Sequence, residues 1–176
     1  MVEDEIKTKL DVNFTSIKSE KPGKNSKKFY VKYNGLNDQP NSVRIDISLR
    51  EKVIRKPMPM PVHHFYELGN PFTIPAMDLE EIMAEKVCAI IYTPGQPRHL
   101  YDSWYLSAQN HVKIIPSLVH SKISFYDELF SIERFKQSVS DMKEDWQKDL
   151  RPFLFDVPSF DTVSQLVVES VGKAMR

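Results

Sequence analysis

Asp46 lies in Val43-Arg-Ile-Asp-Ile-Ser-Leu-Arg50, where apolar and polar residues alternate. A strand there sets Arg44, Asp46, Ser48 and Arg50 on one face and Val43, Ile45, Ile47 and Leu49 on the other. Asp is depleted in strands, so the carboxylate is either a surface ion pair with its arginine neighbours or a metal-binding group on a sheet face. Lys86 is the second candidate. At about 100° per residue it falls between Ile82 and Ile90 within the apolar arc of a helix, with Glu81 and Glu85 on the other side. A core-facing ammonium costs several kcal/mol if unpaired, so either its stem packs while its head reaches the edge, or an anion meets it. Arg98 and Asp102, four apart, share one face of the next helix, where a weak salt bridge is the plain expectation.

Other chemistries find no support in the spacing. The histidines at 63, 64, 99, 111 and 120 show no HExxH pattern, and Cys88 has no second cysteine for a structural zinc site. No G-x-S-x-G elbow occurs. The glycines at 23, 35, 69, 95 and 172 are too dispersed to build a P-loop or a dinucleotide fingerprint.

The elements that must position these residues follow from periodicity. Alternation at Leu10, Val12 and Phe14, at Phe29, Val31 and Tyr33, and over Val43 to Leu49 predicts an antiparallel meander. Loops are expected at Lys18–Lys28, with five lysines, and at Asn34–Ser42. The lysine-rich loop is either solvated or touches phosphate. Prolines at 57, 59 and 61 predict an extended connector rather than a central strand, followed by a short strand-like Phe72-Thr-Ile-Pro75. Asp78 with Glu81 three residues later reads as a capping box opening a helix over 79–92. Pro94-Gly95 stops it, and Pro97 starts a second helix with Leu100, Tyr101, Trp104, Tyr105 and Ala108 on one side, Tyr101 and Trp104 being expected in the core. Phe135, Val139, Met142, Trp146 and Leu150 mark one further helix, and Val163, Leu166, Val167, Val171 and Ala174 another after Pro158-Ser159.

The fold class is therefore α+β, with strands first and helices afterwards. Residues 1–77 form a strand-rich part and 78–176 a helical part, with a hairpin over 79–108 and helices over 131–151 and 160–175, together one compact unit. The 176 residues, with 41% hydrophobic, allow a continuous core and exclude two large domains. Twenty-four Lys+Arg balance 24 Asp+Glu, which removes whole-chain charge as a reason to bind nucleic acid or acidic lipid. A lone cysteine, the polar start MVEDEIKTK, and a longest apolar run of six residues (Val87–Tyr92) point to a cytoplasmic protein without a membrane span.

In their order along the chain, Arg44-Ile-Asp-Ile47, Leu79-Glu-Glu-Ile-Met-Ala-Glu-Lys-Val-Cys-Ala-Ile90 and Pro97-Arg-His-Leu-Tyr-Asp102 resemble the AbiEii family of nucleotidyltransferase-like toxins. The likeness runs from about residue 10 to the C terminus. It implies a nucleotidyltransferase-like antiparallel or mixed sheet, shortened at its N terminus, followed by a helical half. It further implies Mg²⁺-dependent transfer of a nucleotidyl group from an NTP to RNA or protein. By resemblance Asp46 is a metal-binding carboxylate, Lys86 faces the nucleotide phosphates, and Asp102, with Arg98 and Arg44, lies beside them. Two metal ions clamping the attacking and leaving oxygens, with a cation on the phosphates, is the chemistry such a set would serve. The departures are specific: no Gly-Ser turn and no Asp-x-Asp strand occur, and His99 stands where the family signature has Asp. Weak or absent activity alone follows, with a non-catalytic nucleotide-, RNA- or protein-binding module, or one half of a split enzyme, as the alternatives. The resemblance also implies a cognate antitoxin. An uncovered sheet edge predicts a homodimer.

Overall fold

The computed structural model describes residues 14–19, 26–35, 37–49, 52–62, 72–93 and 95–176. The chain divides into two compact units, residues 1–52 and 53–176. In the first, β1 (Phe14–Ser19), β2 (Ser26–Asn34) and β3 (Pro40–Ser48) form an antiparallel sheet in the order β1-β2-β3, as the alternation predicts. Leu10 and Val12 lie outside the described residues. The lysine-rich loop is shorter than expected: Lys18 and Ser19 belong to β1, and Lys27 and Lys28 to β2, because Lys18 pairs with Tyr30 and Ser19 with Phe29. Loop composition there gives way to the ladder, which satisfies backbone groups on both strands. The second turn is closed by the Gly35 N–H donating to the Gln39 carbonyl at 2.9 Å, with Asp38 at φ 57°, a left-handed position that Asp tolerates.

In the second unit, β4 (Met58–Val62) and β5 (Phe72–Ala76) pair antiparallel, so the proline-rich stretch is a strand and not a bare connector. The register explains the tolerance. Pro59 opposes Pro75 and Pro61 opposes Thr73, and since proline has no N–H these positions point outward while Met58, Met60 and Val62 keep the inward donors. A two-stranded sheet has only edges, where such prolines are allowed.

Among the described residues six α-helices follow: α1 (Leu79–Tyr92), α2 (Pro97–Trp104), α3 (Pro116–Ile123), α4 (Ile132–Asp141), α5 (Trp146–Leu150) and α6 (Phe160–Ala174). Asp78 caps α1 by accepting from the N–H groups of Glu80 and Glu81. Pro97 opens α2, which continues into a π-helical turn over Tyr105–Gln109. The helix expected over 131–151 is two helices, α4 and α5, separated by turns at residues 142–145. Its apolar stripe survives the break: Phe135, Val139, Met142, Trp146 and Leu150 are all buried. α1 is the central element, touching α2, α3 and α4, and its Met83, Val87, Ile90 and Ile91 are buried among residues of its neighbours. Leu100 is buried, whereas Tyr101 and Trp104 are half-buried and Tyr105 is exposed, so α2 lies at the margin of the core. Among the described residues no helix is long and apolar enough to cross a membrane.

Candidate functional site

The α1–α2 hairpin carries the candidate site of the second unit. Lys86 leaves the middle of α1, and Asp102 leaves α2 one turn beyond Arg98. Their Nζ and Oδ2 atoms meet at 2.6 Å, with side-chain exposures of 27% and 36%. Both alternatives for Lys86 are thus realised together. Its stem crosses apolar surface, its head reaches the margin, and the anion there is a protein carboxylate. Arg98 does not pair with Asp102; it donates from Nη2 to Gln96 Oε1 at 2.7 Å. Asp102 is engaged across the hairpin instead, where the shorter span to Lys86 wins over the i,i+4 pairing.

His99 stands beside this pair. Burial pushes its imidazole down to about 4, with Lys86 and Arg98 adding to the fall and Asp102 opposing it. The ring is therefore neutral at physiological pH. Its buried Nδ1 has no hydrogen-bond partner. With a neutral ring at 99, Asp102 is the carboxylate that Lys86 faces here.

A second ionic cluster escaped the sequence reading. Lys122 on α3 is wholly buried and contacts Glu81 Oε1 and Glu85 Oε1, each at 2.7 Å. Glu81 also accepts the N–H groups of Ile54 and Arg55 at 2.7 and 2.8 Å. Glu81 is therefore not the reciprocal partner in a capping box; it turns inward because α1 is covered on several sides. Arg55 completes the clasp from outside by donating to Asp78 and Glu80, both at 2.7 Å. All these charges have protein partners, so the cluster fastens the segment leading into β4 onto α1 and α3. The one sequence signal was the lysine itself, set between the apolar Val119 and Ile123 on one helix.

In the first unit, Asp46 Oδ2 is 2.8 Å from Arg44 Nε, and both side chains are well exposed. The register places Lys28 of β2 directly opposite Asp46. The ion-pair alternative is thus present, and the surroundings of the carboxylate are cationic. A two-metal centre requires several carboxylates to offset two divalent ions about 3.5–4 Å apart. Among the described residues no three His, Cys, Asp or Glu side chains gather in a way that could hold a metal. The donor set around Asp46 does not fit such a centre.

The chain belongs to the family described as Nucleotidyl transferase AbiEii toxin, Type IV TA system, whose profile matches residues 2–166. Two solved structures share its α+β fold, both from Helicobacter pylori. The structure of JHP933 aligns at a TM-score of 0.56 and 14% identity, covering 98% of this chain and 69% of that one. A protein described as a candidate nucleotidyltransferase aligns at 0.55 and 12%, covering 98% and 71%. No curated protein matches the chain significantly.

Proposed function

We propose that this chain handles a nucleoside triphosphate at the α1–α2 hairpin, with Lys86 as the phosphate-facing cation and Asp102 as the carboxylate that pairs with it until phosphate takes its place. The supporting observation is the half-exposed Lys86–Asp102 pair beside a neutral, partner-free His99 nitrogen. A partly solvated pair is worth little by itself, about 0–1 kcal/mol, so a polyphosphate can take the ammonium at small cost. Arg98 is the further cation of this hairpin, whereas Arg44 and Asp46 of the first unit pair with each other and are not assigned to it. The proposed reaction is the transfer of a nucleotidyl group from an NTP to RNA or protein. Mg²⁺ would arrive on the triphosphate rather than reside on the chain, since the donor set holds it poorly. Membership of a toxin–antitoxin family supports a cognate antitoxin as the protein partner, acting in the cytoplasm.

A second reading is favoured by the missing gathering of carboxylates among the described residues: a module that binds a nucleotide, an RNA or a protein without chemistry, or one completed by carboxylates from another chain. One experiment separates the two. The chain is incubated with each labelled NTP, Mg²⁺ and total RNA, alongside Lys86→Met, and NTP binding is titrated in parallel. Transfer abolished by Lys86→Met establishes the enzyme. NTP binding lost in Lys86→Met without any transfer establishes the binding module, and NTP binding unchanged in Lys86→Met refutes the proposed site.

A further inference from the structure

The edges of the two sheets are treated differently. Both edges of the β4–β5 hairpin carry outward prolines, at 59, 61 and 75, which cannot donate to an added strand. The outer edge of the first sheet at β1 is interrupted by an irregular register between Phe14 and Ser16. β3 has no such device. It runs in unbroken register against β2 from Pro40 to Ser48, its only proline is its first residue, and among the described residues no strand pairs with its outer edge over residues 41–47.

Which backbone groups line that edge follows from the turn. The Gly35 N–H bonds to the Gln39 carbonyl, and Asn34 opposes Pro40, which has no N–H to give. Asn34 and Pro40 therefore form a non-hydrogen-bonded pair, and the alternation of an antiparallel ladder makes 42, 44 and 46 non-hydrogen-bonded as well. Their N–H and C=O groups point away from β2. Val43, Ile45 and Ile47 turn theirs toward β2 while leaving apolar side chains 41–51% exposed.

We propose that β3 is a homotypic interface: the β3 strands of two copies pair antiparallel about a two-fold axis at Ile45. The outward groups of Arg44 and of the partner's Asp46 then form a hydrogen-bonded pair, and the symmetric contact repeats it. Charge selects this register. Sliding by one pleat either way sets Arg44 against the partner's Arg44, or Asp46 against the partner's Asp46, and like charges directly opposite are unfavourable. Centred on Ile45, both pairs have opposite charge, Val43 lies against the partner's Ile47, and the two Ile45 side chains meet on the axis. Shifts by an odd residue are excluded because they oppose outward groups to inward ones. Each Asp46 then faces two guanidinium groups, so pairing competes with any cation at that carboxylate. The inference does not depend on the nucleotide reading of Lys86.

Sedimentation equilibrium between about 1 and 100 μM measures association, a range suited to weak dimers. A dimer is expected. Arg44→Glu and Asp46→Lys should each weaken it by about tenfold or more, since each reversal makes both symmetric pairs repulsive. The combined Arg44→Glu/Asp46→Lys chain should regain it, which a merely misfolded variant would not. Register is read by cysteine. Ile45→Cys should cross-link to itself under an added mild oxidant, because the two residues face each other at a non-hydrogen-bonded pair about 4.5 Å apart, whereas Val43→Cys should not. A monomer at all concentrations overturns the interface. Association indifferent to both charge reversals, or cross-linking at 43 in preference to 45, overturns the register.

Discussion

Lys122 Nζ lies 2.7 Å from Glu81 Oε1, and neither side chain reaches solvent. Burial opposes ionisation of both groups, raising the carboxyl and lowering the ammonium. The hydrogen bond between them reverses each effect, helped by the Ile54 and Arg55 N–H groups on one side and by Glu85 on the other. Glu81 is held below the ordinary carboxyl value and Lys122 above the ordinary ammonium value, so both are charged. Three segments meet at this point: α1, α3 and the chain ahead of β4.

Removing one partner should therefore be costly. Lys122→Met leaves the Glu81 carboxylate buried without its cation, and a loss of about 3–5 kcal/mol is expected in urea unfolding. Adding Glu81→Gln to Lys122→Met should recover part of the loss by discharging the buried group. A Lys122→Met chain within about 1 kcal/mol of the parent, against that expectation, would show that the cluster is more solvated than its geometry indicates.

Acid should destabilise the protein in two steps. His99 has its folded pKa lowered from 6.5 to about 4, so between these values the unfolded chain binds the extra proton, and stability is lost as pH falls through that window. Glu81 is also lowered from its ordinary value of 4.5; its contribution is fully present above that value and is lost as pH falls through the lower folded one. Thermal melting from pH 7 to pH 3 should show both. His99→Gln should flatten the upper step alone, and a parent chain whose melting temperature is constant from pH 6.5 to 4.5 would contradict the assignment of His99.

Much of this architecture was legible because it rests on local rules. The meander followed from alternation at Phe29–Tyr33 and Val43–Leu49, and α1 from Asp78 and the apolar repeat. Lys86 and Asp102 were both singled out, but their pairing required knowing how α1 and α2 close, which neither periodicity contains. Lys122 was missed for the same reason: its partner Glu85 is 37 residues away. The proline-rich β4 was misread because the rule against proline in strands concerns central strands, and the sequence does not say how many strands a sheet will have.

Asp78 has two duties, accepting the first N–H groups of α1 and receiving Arg55. Asp78→Ala should cost about 1–2 kcal/mol, near the upper end for a cap, because the outer part of the clasp loosens with it. Asp78→Asn keeps the cap and lowers the charge facing Arg55, so it should cost less than the alanine change. Equal losses in the two variants, measured by denaturant midpoint, would mean that the cap contributes nothing beyond the ion pair.

Lys86 and Asp102 should move nucleotide affinity in opposite directions when tested without divalent ions. In Lys86→Met the triphosphate loses a charge-assisted contact, generally worth about 1.5–3 kcal/mol, so affinity should fall roughly tenfold to a hundredfold. The fold should be little affected, since a partly exposed ion pair contributes about 0–1 kcal/mol. In Asp102→Asn the incoming phosphate no longer has to displace a carboxylate from the ammonium, nor sit beside a second negative charge, so affinity should rise. The rise should shrink with added salt, because it is electrostatic in origin. Fluorescence titration of an NTP in EDTA, at low and high salt, reads all of this. A fall in Asp102→Asn as large as that in Lys86→Met would mean that Asp102 is needed chiefly to aim the ammonium, and unchanged affinity in both variants would remove the hairpin from the nucleotide site altogether.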